Sequence, residues 1–352
     1  MGKFWITASL VLCFILGFAF KHYLDFRFLE KMTGRENKGV KLSEMQKAQI
    51  SGAILSTPQN IPPTDPVTTI NDVIHAQEEE KPYKNTAYLT PDQNPNFLPI
   101  RDWSVPFTEF ATKAAIVTDQ DASKIFYQKN ISEKLPIASL TKLMTAIIVV
   151  ESKNLDDVVK ISQQAVNQEG NAGKLAVDEE ITIGNLLKAL LIESSNDAAF
   201  ALEEYFSSKG EDLIGSMNQK AISLNLTNTH FSSTSGLIDK NNYSTAYDYA
   251  RLISYSLSNN KIWNILKTSS SEIRSVNNST IHRLINSNIL LGRVPGLIGG
   301  KTGYTEEARG CLLTVTDIND KTRIISVIIG SDDRFGEMEK LINWVKKAYR
   351  FN

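Results

Sequence analysis

Three short clusters in this 352-residue chain hold side chains that could do chemistry together. In Ser139-Leu140-Thr141-Lys142 a hydroxyl and an amine stand three residues apart. On a helix those positions share a face, so the amine can reach the hydroxyl. Serine is nucleophilic near pH 7 only beside a base, and lysine is a base only when neutral. Bringing a lysine down to near neutrality costs about 4 kcal/mol. That demands burial or a nearby second cation. In Ser194-Ser195-Asn196 the Ser194 hydroxyl can relay a proton toward a leaving amine, and the Asn196 amide can hold a peptide carbonyl. In Lys301-Thr302-Gly303-Tyr304, Lys301 and Thr302 suit a carboxylate, and Gly303 lets another backbone approach closely.

Taken singly, each cluster has an ordinary structural reading. Ser258–Lys261 repeats the first spacing, while Ser216-Met217-Asn218 and Ser275-Val276-Asn277 repeat the second. Helix caps account for such patterns. Gly299-Gly300-Lys301-Thr302 lacks the spacing of a phosphate loop, and a strand rather than a helix follows it.

The surrounding periodicity indicates what positions the clusters. The segments Ala114–Val117 and Lys124–Tyr127 flank a turn at Asp119-Gln120-Asp121, predicting a β-hairpin. Leu140, Leu143, Met144, Ile147 and Ile148 predict an amphipathic helix opening near Ser139. Further helices are predicted at Gly184–Glu193, Asp197–Phe206, Leu213–Leu224 and Ala246–Leu257. Cys311–Thr316 and Thr322–Ile329 predict a second hairpin, and Leu341–Tyr349 a closing helix. Strands at both ends with helices between them imply one α+β domain over 108–352, its antiparallel sheet joining N- and C-terminal strands.

Composition narrows the function classes. Thirty-eight Lys and Arg against 39 Asp and Glu leave a net charge of -1, which argues against a nucleic-acid partner. Cys13 and Cys311 are the only cysteines, and the four histidines form no HxxxH or HxH pair. Neither a disulfide framework nor a metal site is expected. Residues 1–22 carry an uncharged run from Phe4 to Phe20 behind Lys3, read as an uncleaved membrane signal-anchor, with a cleaved signal peptide as the alternative. The placement of Lys21, Arg27 and Lys31 opposes the positive-inside rule for an exported domain, though a long following domain weakens that bias. Nine of the eleven prolines fall between Pro58 and Pro106, so 23–107 reads as a largely extended linker.

In order and context, the three clusters resemble those of the serine D-alanyl-D-alanine carboxypeptidases, the low-molecular-weight penicillin-binding proteins. The resemblance extends through 136–146, Ser194–Ala199, Asn228–Phe231, Ser235-Gly236-Leu237, Tyr243–Ala246 and Gly300–Thr305. It implies a β-lactamase/transpeptidase-like fold and an acyl-enzyme on Ser139, with Lys142 as base. Ser194 and Asn196 would transfer protons and position substrate. Lys301 and Thr302 would hold the terminal D-Ala carboxylate, and Lys301 would help keep Lys142 neutral. The backbone N–H groups of Ser139 and Tyr304 would form the oxyanion hole. The resemblance further implies stem peptides ending in D-Ala-D-Ala as substrate, β-lactams as covalent inhibitors, and no cofactor. Arg334 is a further carboxylate candidate, and Arg309 has no assigned role. Ser195 stands where many relatives carry glycine, with little effect expected.

Four other readings compete. A D,D-endopeptidase uses the same motifs. A β-lactamase needs a water-activating carboxylate, and Asn225–Asn242 offers only Asp239. A wall-binding module without activity would not need an activated nucleophile. A Ser-His-Asp hydrolase on His230 or His282 lacks the GxSxG elbow.

Overall fold

The computed structural model describes residues 99–170, 173–237 and 241–351. The apolar N-terminal run and most of the proline-rich stretch lie outside them. Among the described residues no helix is long and apolar enough to cross a membrane.

Five strands form the main sheet: β1 (Ala114–Asp119), β2 (Ile125–Lys129), β3 (Leu297–Thr305), β4 (Arg309–Asp317) and β5 (Arg323–Ser331). Their order is β3-β4-β5-β1-β2, antiparallel throughout, so the expected union of N- and C-terminal strands is present. The strands are nearly continuous apolar runs because helices cover both faces. Ala114, Ile116, Leu313, Val315 and Ile325 face one core, while Ala115, Val117, Leu312, Ile324 and Ile328 face the other. Such alternation along a strand is the period-two geometry of the pleat.

On the first face pack α1 (Lys142–Ser152), α2 (Asn196–Ser208), α3 (Leu213–Ser223) and α4 (Ala246–Ser256). On the second lies α5 (Arg334–Ala348), through Met338, Leu341, Ile342 and Val345. Helix α5 begins seven residues before the expected Leu341. Asp333 caps it by accepting from Gly336 N, and buried Glu337 accepts from the backbone N–H groups of Ala111 and Thr112. Those polar anchors hide the helical period in its first two turns. A hairpin of Ser270–Arg274 with Ile281–Ile285, not anticipated from sequence, stands beside the Ser194 segment.

The expected boundary at 107/108 moves toward the N-terminus. Ile100–Arg101 pairs antiparallel with Tyr349–Arg350, and Asp102 N donates to Ala348 O. Arg101 lies over the rings of Trp344 and Tyr349, and Phe107 stacks on Tyr127. The prolines flanking this stretch made it read as linker, yet its aromatic and cationic side chains belong to the folded unit.

Candidate active site

The nucleophile candidate sits on a tight turn. Residues 138–141 form one turn of 3-10 helix, and α1 starts only at Lys142. Ser139 therefore lies inside the 3-10 turn that runs into α1, so the helix expected to open near Ser139 does so through a tighter first turn. Ala138, just before it, adopts φ +48°, a left-handed conformation that costs a non-glycine residue about 1–2 kcal/mol. The surroundings hold it there. Thr141 Oγ1 donates to Ala138 O at 2.8 Å, and Asn242 Nδ2 donates to Thr141 Oγ1 at 2.8 Å. Gly236, at φ +79°, packs so closely that any Cβ would overlap the Ala138 carbonyl.

Lys142 points back along α1 to Ser139, with Nζ 2.8 Å from Ser139 Oγ. The same Nζ lies 2.7 Å from Asn196 Oδ1 and 2.9 Å from Ser235 O. A neutral amine has two protons and one lone pair. Asn196 Oδ1 and Ser235 O can only accept, so they take the two protons. The lone pair is left facing the Ser139 hydroxyl. Complete burial holds the Lys142 amine well below its ordinary value, Lys301 pushes it further down, and Asp197 opposes them. With the amine neutral, this arrangement can place a base beside the nucleophile candidate.

Ser194 also has left-handed backbone, φ +70°, at the break between the π-helical turn Ala189–Glu193 and α2. The break turns its hydroxyl toward Lys301, whose Nζ donates to Ser194 Oγ at 2.7 Å and to Thr302 O at 2.8 Å. Burial first, and then the Arg334 guanidinium, bring Lys301 down to about 7. Thr302 Oγ1 shares a 2.6 Å hydrogen bond with Ser287 Oγ. Arg334, at the start of α5, reaches Gly303 O at 3.4 Å and lies over the Tyr304 ring. Arg309 has φ +55° at the start of β4, and its guanidinium lies 3.9 Å from Asp332 just past β5.

Strand β3 is the sheet edge beside the 3-10 turn. A Cβ on Gly303 would come within 3.0 Å of both Ile137 O and Ser139 N, so only glycine lets the strand approach the nucleophile this closely. A cavity of about 430 Å³ opens against this junction, lined by Pro136, Ala138, Leu237, Asn242, Tyr304 and Glu306 among others. The wider cleft over α1 and α3 contains none of the motif residues.

The fold therefore gathers Ser139, Lys142, Ser194, Asn196 and the Lys301–Tyr304 strand into one cleft. The three look-alikes stay out: Ser258–Lys261 lies at the N-terminus of the helix Asn260–Leu266, Ser216 lies in α3 with its hydroxyl on Asp212 O, and Ser275 bonds to Asn277 in the tip of the 270–285 hairpin. Sequence reasoning missed Ser235, whose contribution is a backbone carbonyl, and Asn242, Asp197 and Ser287, which act through hydrogen bonds between distant segments. Ser235-Gly236-Leu237 was visible only as part of a longer resemblance.

A family model for D-alanyl-D-alanine carboxypeptidases matches residues 102–333. D-alanyl-D-alanine carboxypeptidase DacF of Bacillus subtilis is 34% identical over 245 residues, which is 67% of this chain and 62% of that protein. The chain thus spans less than two thirds of that relative. A D-alanyl-D-alanine endopeptidase of Pseudomonas aeruginosa is 32% identical, covering 68% of this chain and 78% of its own length. Among solved structures, the Streptomyces K15 DD-transpeptidase superposes with a TM-score of 0.64 at 28% identity, covering 68% of this chain and 99% of that one.

Proposed function

Because the chain belongs to the D-alanyl-D-alanine carboxypeptidase family, we propose that it removes the terminal D-Ala from peptidoglycan stem peptides through an acyl-enzyme on Ser139. The observation that carries this reading is the buried Lys142 amine, with two acceptors for its protons and its lone pair toward Ser139 Oγ. Lys142 takes the Ser139 proton as Oγ attacks the penultimate D-Ala carbonyl carbon. The backbone N–H groups of Ser139 and Tyr304 receive the developing oxyanion. The peptide C–N bond breaks, and the departing D-Ala amine gains a proton passed through Ser194. Lys301 and Thr302, with Arg334 behind the strand, hold its carboxylate. Water then attacks the ester, its proton passing to Lys142, and the shortened peptide leaves with a new carboxylate while Oγ regains its hydrogen. The scheme uses no metal or cofactor. β-Lactams would acylate the same oxygen.

A labelled penicillin tests this directly. The wild type should form a slowly decaying adduct that Ser139→Ala does not form, and a pentapeptide substrate should lose free D-Ala. No adduct on folded protein would overturn the reading. A D,D-endopeptidase is the second reading, supported by two relatives of that name at 31–32% identity over the same share of this chain; separation of cross-linked muropeptide dimers without D-Ala release would select it. Residues 1–22 are proposed to anchor the chain in the bacterial cytoplasmic membrane as one N-terminal span. The stretch after it would act as linker, and the catalytic domain would lie on the extracytoplasmic side. Protease treatment of intact protoplasts should then digest the domain, and its survival would reject that orientation.

A further inference from the structure

Asn196 presents its oxygen to Lys142, but an asparagine amide can turn over. Turned over, it would aim an N–H at the lysine lone pair and compete with the Ser139 hydroxyl for it. The structure fixes the orientation from behind. Asn196 Nδ2 donates to Glu169 O at 2.8 Å, so the oxygen side must face Lys142. Gly173 N donates to Asp197 Oδ1 at 2.8 Å and Leu175 N to Asp197 Oδ2 at 3.1 Å. Asp197 Oδ1 also receives Ala198 N and the Ser195 hydroxyl, while Ser195 Oγ caps α2 by accepting from Ala198 N. Ser195, Asn196 and Asp197 are all fully or almost fully buried.

The fit leaves no slack. A Cβ on Gly170, at φ +87°, would come within 2.9 Å of Asn196 Nδ2, and one on Gly173 would overlap Ser195 Oγ. Ser195, expected from sequence to matter little, is the hinge of this arrangement. We propose that Ser195 and Asp197 are positioning residues for acylation: buried on either side of Asn196 and bonded to each other and to Ala198 N, they hold its backbone so that Nδ2 meets Glu169 O and the amide oxygen stays on Lys142.

The inference rests on the acyl-enzyme reading, and a labelled penicillin separates the two. Absence of a wild-type adduct would sink the reading itself. Given an adduct, Asp197→Asn should slow acylation roughly 10- to 100-fold, the scale for a misplaced catalytic group. Ser195→Gly keeps an adequate cap and should slow it severalfold. In an Asn196→Ala background, where no amide remains to orient, both changes should cost less than about threefold. Equal losses in the two backgrounds would overturn the proposal. A pH profile adds a readout that a purely structural role would not move. The charges facing Lys142 are Lys301 on β3, with Arg334 of α5 behind it, and Asp197 on α2; Asp197 is itself near Glu193, which Lys174 and His282 also face. Removing the Asp197 carboxylate takes away the anion that favours the ammonium, so the acid limb of acylation should move to lower pH in Asp197→Asn. A limb left in place would count against the assignment. If Asp197→Asn does not fold, Ser195→Gly carries the same comparison.

Discussion

Lys301 stands in the cleft at a cost in stability, and replacing it with methionine should reveal how much. In the unfolded chain its amine keeps the ordinary value of 10.5, whereas burial and then Arg334 bring it to about 7 in the fold. Between those values the unfolded chain binds the extra proton, so stability rises with pH across the window; below about 7 the full penalty applies. At 1.36 kcal/mol per pH unit, the penalty at pH 7 is about 4–5 kcal/mol. Against it stand the hydrogen bonds to Ser194 Oγ and Thr302 O, worth about 1 kcal/mol each and somewhat more where a buried acceptor is orphaned. Lys301→Met should therefore gain about 1–3 kcal/mol at pH 7 and melt several degrees higher. Its activity should fall at least about 100-fold, as for loss of a preorganised charge. Reversible urea titrations from pH 6 to pH 9 provide the assay. The wild type should gain about 2 kcal/mol between pH 7 and pH 9 that the variant does not gain. Lys142 titrates in the same direction, and losing its cationic neighbour shrinks its share of the slope, so the difference keeps its sign. A variant less stable than wild type at pH 6–7, or two parallel pH profiles, would refute the burial argument.

Two further outcomes follow from single positions. Gly236→Ala places a Cβ into the Ala138 carbonyl at a left-handed φ, so acylation should drop at least about tenfold and stability by about 2–4 kcal/mol, read by labelled penicillin and thermal melting. Cys311 is wholly buried and its thiol is pushed up to about 12, so an aromatic disulfide reagent at pH 8 should react only after denaturation; rapid native labelling would contradict the packing of β4.

Much of this arrangement was legible in the residues because its strongest signals are local. The sheet strands are long apolar runs, the 3-10 turn and α1 together carry one period from Leu140 to Ile148, and Lys142 is three positions from the hydroxyl it faces. What escaped the sequence depends on distant chain segments. The left-handed Ala138 is stabilised by Thr141, Gly236 and Asn242, and no propensity of alanine foretells it. The early start of α5 depends on Glu337 reaching Ala111 and Thr112. Ser195 looked incidental because a serine before a helix is ordinary capping; only the fold brings Gly173 against it.

The strand order also sets the timing of the site's assembly. Pairing β5 with β1 joins Ile324 to Asp119 and Ile329 to Ala114, across about 200 residues of intervening chain. At ribosomal rates of 5–20 residues per second, that segment takes roughly 10–40 s to make. Ser139, Lys142 and Asn196 emerge early, but Lys301 and the edge strand that closes the cleft emerge near the end. A nascent or truncated chain would hold its nucleophile without a carboxylate site, and its apolar β1 without a neighbour on the β5 side. Non-local pairings of this kind fold slowly, leaving the unfinished chain inactive and prone to self-association until the last strand arrives.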